Sequence, residues 1–343
     1  MPHLPELTPK KHAFRVLFGQ KPLTKVKDYR KSIKVDLVKY DDRDQMLKGT
    51  YDFVKATWSE TGRESDTATD EEMKEALHQM LSGKALGLGL ETVSFIFRIS
   101  GITRVDTHQI VRQRIGVTFS QQCTGDRMMH HNDILLEECI NSSEDLNDFI
   151  HATLQCKNTY AKMIDDGVSI QAARTILPHN LETFIFMKID LSTLLFFHMK
   201  RIEDGSQTWQ INQIAQQMAD RVCEIYPEMV EVFEKNKKKF KFQKEASADR
   251  ANSFSTGLYI PKYDEFDYNN RDFLYPKKKE EMHFTNTPTK DRYFWGFSEI
   301  SEEFYNQIKE EYSKLDKEIH ENHYSNEEIL KKGQELTKKL ERL

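Results

Sequence analysis

The stretch SFIFRISGITRVDTHQIVRQRIGVTFSQQ, Ser94–Gln122, decides how the chain is read. Val93, Phe95, Phe97 and Ile99 alternate with Ser94, Ile96 and Arg98, the period-two pattern of a strand with one buried face. Beyond Gly101 the spacing predicts a helix over 102–113, on which Arg104, His108 and Arg112 recur every four residues and share a face. Gly116 and Gly125 keep 114–130 from forming a single element, and polar residues gather there at Ser120, Gln121, Gln122, Cys123, Thr124 and Arg127. Guanidinium groups collected beside hydroxyls and amides make an anion site, because arginine grips phosphate with two parallel donors and keeps its charge. The competing reading of the same spacing is a solvated arginine face on a surface helix.

Working outward, residues 1–30 are basic and proline-punctuated and read as an N-terminal arm. IKVDLVKY (33–40) reads as a strand, the polar 60–70 as a loop, and EEMKEALHQMLSG as a helix capped by Asp70 and stopped by Gly83. Helices are expected over 143–167, with a capping-box-like start at Ser143, and over SIQAARTIL up to Pro178. A long apolar helix is expected over roughly 181–201, and another from Trp209 to about Phe233. Arg174 stands among small and apolar residues, where it either forms a buried ion pair or reaches a ligand. The division expected is an arm over 1–30, a core over 31–240, an aromatic and polar extension over 241–297 and a charged helical tail over 298–343. In that tail Ile308, Tyr312, Leu315, Ile319, Ile329, Leu330, Leu336 and Leu340 recur at helical spacing.

Composition excludes several classes. The 343 residues are 38% hydrophobic and 31% charged with a net charge of −5, so binding nucleic acid through global charge is excluded. No apolar run approaches the roughly 18 residues of a membrane span, and the N-terminus lacks the apolar stretch of a secretory signal. Cys123, Cys139, Cys156 and Cys223 form no CxxC, which suggests neither a disulfide framework nor a zinc site and makes a reducing cytoplasm the expected setting. His130 and His131 are adjacent and lack a ligand partner at helical spacing, so no metal site is expected. GLGLE is not a dinucleotide fingerprint. The lysines of 235–245 read as a solvated helix end.

Three motifs in order resemble the flavin-dependent thymidylate synthases. The quoted stretch resembles that family's F-x-F-x-I-x-G-[IV]-S-R followed by H-Q-[LI]-V-R-H-R. GVSIQAARTILP (167–178) resembles its G-V-x-x-x-x-A-R-x-[VIL]-L-P, and LETFIFMKIDLSTLLFFHMKR (181–201) resembles its T-x-x-x-x-x-x-N-x-R-S-L-x-x-F-x-x-x-R. Together they cover roughly residues 31–235. The resemblance implies an α+β fold, a mixed sheet flanked by helices with a mostly helical C-terminal extension. It also implies a homotetramer whose active sites draw on several subunits. The implied reaction methylates C5 of the pyrimidine deoxynucleotide monophosphate dUMP, taking carbon from methylene-tetrahydrofolate and hydride from FAD reduced by NADPH.

By the same resemblance, Arg112 and Arg114 match the flavin-contacting arginines, with Gln113 between them in place of histidine, and Glu91 matches an acidic residue near the flavin. Gln109, Gln121, Cys123, Arg127, Arg174 and Arg201 match nucleotide contacts, with Arg127, Arg174 and Gln121 nearest the chemistry. The loop carrying Arg127 is about three residues longer than the family's. A thiol beside a pyrimidine invites covalent chemistry, although Cys123 reads more simply as a replacement for the family's serine. The departures fall on the flavin side. Asp190 stands for asparagine, Ser192 for arginine, Phe196 for asparagine or histidine and Ser206 for histidine, and no histidine precedes Glu91. Hydroxymethylation of dUMP or dCMP, or a catalytically silent nucleotide-binding scaffold, are the other readings these departures leave open.

Overall fold

The computed structural model describes residues 18–56, 58–125, 128–137, 140, 145–202, 209–235, 290–322 and 324–343. Two four-stranded sheets organise them. The first has the order β5-β1-β7-β8, from β1 (Leu23–Asp28), β5 (Ile134–Leu136), β7 (Arg292–Trp295) and β8 (Ser298–Ile300). The second has the order β2-β3-β6-β4, from β2 (Lys34–Lys39), β3 (Ser94–Thr103), β4 (Val117–Gln121) and β6 (Glu182–Asp190), and is antiparallel throughout. Helices pack against both sheets, so the architecture is α+β as expected.

The alternation read along β3 holds. Val93, Phe95, Phe97 and Ile99 are buried and face Ile185, Met187 and Ile189 of β6 in one core. Helices α1 (Arg43–Lys55), α2 (Asp70–Leu81) and α7 (Trp209–Ile225) close this core with Met46, Leu47, Leu77, Ile214 and Met218. Helix α2 is capped by Thr69 rather than Asp70: the Thr69 hydroxyl accepts from the Glu72 amide while the Glu72 carboxylate accepts from the Thr69 amide. The capping residue expected at Ser143 lies outside the described residues.

Four expectations are corrected. The helix expected over 181–201 is strand β6 followed by α6 (Leu191–Arg201). Thr183, Ile185, Met187 and Ile189 are buried while their neighbours are more open, a period of two that the unbroken apolar composition hid. The helix expected over 102–113 is shorter, α3 (Arg104–Ile110), because β3 runs on to Thr103 through a bulge between Ser100 and Ile102. Gly101 makes the bulge possible: its φ is +66°, and a Cβ there would lie 1.7 Å from the Ser32 carbonyl oxygen. The helix from Trp209 stops at Ile225, where Pro227 opens a 3₁₀ turn over Pro227–Met229. The arm expected over 1–30 contains β1, which pairs with both β5 and β7; residues 1–17 lie outside the described residues, as do 241–289 of the expected extension.

The tail is a helix pair, α8 (Glu302–Asn322) and α9 (Asn326–Leu340), and it docks onto β1 and β7. Ile308, Tyr312 and Leu340 join Leu23 and Trp295 in a second core. The Trp295 indole N–H donates to the Tyr312 hydroxyl at 2.8 Å, which donates on to the Lys21 carbonyl at 3.1 Å. The first sheet is thus completed by segments from both ends of the chain.

Helix α4 (Leu146–Asp165) lies across β1 and buries Lys157 completely. Its ammonium donates to Thr24 Oγ1 at 2.5 Å and to the Asn132 carbonyl, and burial pushes it down to about 7. Lys157→Met would leave both acceptors without that donor. It should lower unfolding free energy by about 1–3 kcal/mol, checked by urea denaturation.

Candidate functional site

The antiparallel register sets the site. The C-terminal end of β3 pairs Thr103 with Glu182 at the start of β6, and Gln121 at the end of β4 pairs with Ile185. One edge of the second sheet therefore gathers the start of α3, the end of β4 and the start of β6. The segment from α5 (Ile170–Ala173) through the 3₁₀ turn Arg174–Ile176 covers this edge.

Between them lies a cleft of about 520 Å³, lined by Arg104, His108, Gln121, Gln122, Cys123, Thr124, Met129, Arg174, Thr175, Leu177, Pro178, His179, Leu181 and Thr183. The size suits a small ligand. Two guanidinium groups face it, and none of the described lining residues is acidic. Burial holds the Arg104 guanidinium below its ordinary value; the Cys123 sulfur acts against it, and the neighbouring Arg174 adds the smallest lowering. Arg104 is half-buried and Arg174 exposed, and an anion between two such like charges offsets their repulsion. Arg104 Nη2 donates to the Gln122 carbonyl at 3.2 Å, and Gln121 Nε2 to Thr107 Oγ1 at 2.8 Å, so α3 fixes the end of β4. The His108 and His179 rings stand 6.2 Å apart across the cleft wall.

Of the residues singled out in the sequence, the cleft brings together Arg104, His108, Gln121, Gln122, Cys123, Thr124 and Arg174. Arg127 lies outside the described residues. Gln109, Arg112 and Arg201 form a second group toward the C-terminal end of α3. Arg201 Nη2 donates to the Gln109 carbonyl at 3.3 Å, and burial and the nearby Arg112 lower the Arg201 guanidinium. Gln113 donates to the Ile115 carbonyl at 3.2 Å. Arg112 and Arg114 are exposed, and no hydrogen bond or ion pair among the described residues engages their guanidinium groups. Glu91 is exposed at the end of the 3₁₀ turn Gly87–Glu91.

Asp190 is already engaged. Its carboxylate caps α6, accepting from the Thr193 amide at 2.7 Å and the Thr193 hydroxyl at 2.9 Å. Gly116 packs against it, where a Cβ would lie 2.2 Å from Asp190 Oδ2. His179 and Thr183 also line the cleft, and the sequence had not singled them out. The arginine run already marked Arg104. Thr183 needed β6 to be recognised as a strand.

The family model for "Thymidylate synthase complementing protein" matches residues 36–228, more than half of the chain. This chain belongs to the flavin-dependent thymidylate synthase family. As a divergent member it is 31% identical over 155 residues to the flavin-dependent thymidylate synthase of Geobacter sulfurreducens, a stretch that is 42% of this chain and 64% of that relative. It is 27% identical over 197 residues to the Pyrococcus furiosus flavin-dependent thymidylate synthase, covering 56% of this chain and 79% of that one. The fold is shared with a UMP/dUMP methylase, PolB from Streptomyces cacaoi, solved with 5-Br dUMP, at a TM-score of 0.50 and 16% identity over 61% of this chain and 96% of that one. The matched span reaches from β2 to the 3₁₀ turn after α7. Strands β7 and β8 and helices α8 and α9 therefore lie outside it. Among the described residues no cluster of histidine, cysteine and carboxylate groups suits a metal ion, and no helix is long and apolar enough to cross a membrane.

Proposed function

We propose that this family member methylates C5 of a uridine nucleotide monophosphate, dUMP in the first instance, with methylene-tetrahydrofolate as carbon donor and FAD reduced by NADPH as hydride source. The observation that carries the reading is the cleft with Arg104 and Arg174 on its walls and no acidic side chain among its described lining residues. A nucleoside monophosphate brings a compact dianion that relieves their repulsion, with charge-assisted bonds about twice as strong as neutral ones. Gln121, Gln122 and Thr183 offer amide and hydroxyl groups to the rest of the nucleotide. For C5 to attack an electrophilic carbon, negative charge developing on the pyrimidine ring has to be stabilised by fixed donors. Arg127, Arg174 and Gln121 are assigned that task on the family motif.

The residues on the flavin side fit an anionic dinucleotide. Arg112 and Arg114 present exposed guanidinium groups suited to its pyrophosphate, Gln113 and Glu91 are assigned to the flavin on the family resemblance, and Asp190 would serve by holding α6 in place. A bound flavin supplies hydride transfer. The chain's own residues hold the nucleotide phosphate, keep the end of β4 in register and present donors to the ring. The nucleotide group and the flavin group flank α3 at opposite ends, and we take a homotetramer to complete each site from neighbouring subunits.

The purified protein should be yellow, with the two visible absorption bands of a flavin. Incubated with dUMP, methylene-tetrahydrofolate and NADPH, it should yield a nucleotide one methyl group heavier by mass spectrometry. A hydroxymethyl product would favour water addition at the same carbon. A colourless protein that still binds dUMP after FAD is added would favour a silent scaffold.

A further inference from the structure

The segment 122–125 that follows β4 is fastened at both of its ends. At its start the Gln122 amide donates to the Phe184 carbonyl at 3.3 Å, and Arg104 holds the Gln122 carbonyl. At its far end the Gln171 side-chain amide donates to the Gly125 carbonyl at 3.1 Å. Between these points the Gly125 amide donates to Cys123 Sγ at 3.3 Å, which closes the turn. Gly125 lies directly on the ends of two side chains: a Cβ on it would lie 2.5 Å from Gln171 Nε2 and 2.7 Å from Arg174 Nη1. Gln171 precedes Arg174 by three residues, so both point from one helical face toward the same loop.

We infer that Gln171 is a positioning residue: it hooks the 122–125 loop over Arg174 and sets the distance between that guanidinium and the loop that closes the cleft. The inference rests on the reading of the cleft as a uridine monophosphate site, and it adds a residue that makes no contact with the nucleotide. The cleft is two-sided only while the hook holds. Without it the described part of the loop, carrying Cys123 and Thr124, keeps its anchor at Gln122, and the Gly125 backbone is released from its place beside the Arg174 guanidinium. Gln171 is itself exposed, so its loss removes a tether without emptying any core.

The test is a double-mutant cycle on the full-length protein, titrating dUMP calorimetrically into wild type, Gln171→Ala, Arg174→Ala and the double variant. Gln171→Ala should weaken dUMP binding about fivefold in the wild-type background, as loss of one hydrogen bond does. It should have no further effect in the Arg174→Ala background, because the hook then has nothing to position. Equal losses in the two backgrounds, or no loss in either, overturn the inference. A second readout needs no nucleotide. Alkylation of Cys123, followed by peptide mass spectrometry with Cys156 and Cys223 as internal references, should be faster in Gln171→Ala than in wild type. If wild type binds neither dUMP nor UMP, the functional reading fails and the hook is decided by labelling alone. Faster Cys123 alkylation sustains it, and an unchanged rate overturns it. Gly125→Ala should act in the same direction by pushing Gln171 and Arg174 apart.

Discussion

Replacing Arg104 and Arg174 together by alanine is expected to weaken dUMP binding by about 3–6 kcal/mol, roughly a hundredfold to ten-thousandfold. Each guanidinium makes a charge-assisted contact worth about 1.5–3 kcal/mol to a phosphate. Titration at low and moderate salt gives the check. The affinity of the double variant should lose most of its salt dependence as well as its magnitude. Flavin content should be unchanged, because Arg112 and Arg114, the arginines matched to the flavin, lie toward the other end of α3. Wild-type affinity in the double variant would remove the cleft from the nucleotide site altogether.

Asp106 should make the protein less stable as pH rises from about 4 to 7. Its side chain is buried in the first turn of α3, where Oδ2 accepts from the Thr103 amide at 2.8 Å and from the Thr103 hydroxyl at 2.7 Å. Burial outweighs these bonds, and Glu137 adds to it, so the carboxyl is pushed up from 3.8 to about 7. Glu137 is itself raised by burial, although the Trp209 indole donates to it at 3.1 Å and the Gln210 amide donates as well. The folded protein therefore holds a proton on Asp106 that the unfolded chain releases above 3.8. Below that value both states are protonated and there is no differential. Between it and about 7 the unfolded state binds fewer protons, so stability falls with rising pH, by up to about 4 kcal/mol at 1.36 kcal/mol per unit. Asp106→Asn keeps an acceptor for Thr103 and removes the ionisation. It should flatten that slope, and the gain in melting temperature over wild type should be larger at pH 8 than at pH 5. Parallel wild-type and variant curves across this range would show that Asp106 does not carry the proton.

Much of this was legible in the residues. The alternation of Val93, Phe95, Phe97 and Ile99 specified both the strand and its buried face, because each side chain on a pleated strand must point to one side or the other. The recurrence of Arg104, His108 and Arg112 marked the region of α3, and three ordered motifs identified the family. The stretch 181–190 misled because both faces of β6 carry large apolar residues: Ile185, Met187 and Ile189 are buried, while Phe184 and Phe186 stand edge to face on the outer side. With both faces apolar the period of two disappears from the composition, and only pairing with β3 and β4 restores it.

The site divides along the same line. The sequence alone determined which groups are present: guanidinium groups that cannot be neutralised, amides and a thiol. Tertiary structure decided which of them meet. An antiparallel register brought Arg104, Gln121 and Thr183 to one sheet edge and laid Arg174 across it. The two ends of α3 kept Arg112 and Arg201 apart from that group, and a helix cap took Asp190. The charge on a side chain follows from its chemistry. Its neighbours follow from strand pairing and packing between residues far apart in the chain, which no local spacing encodes.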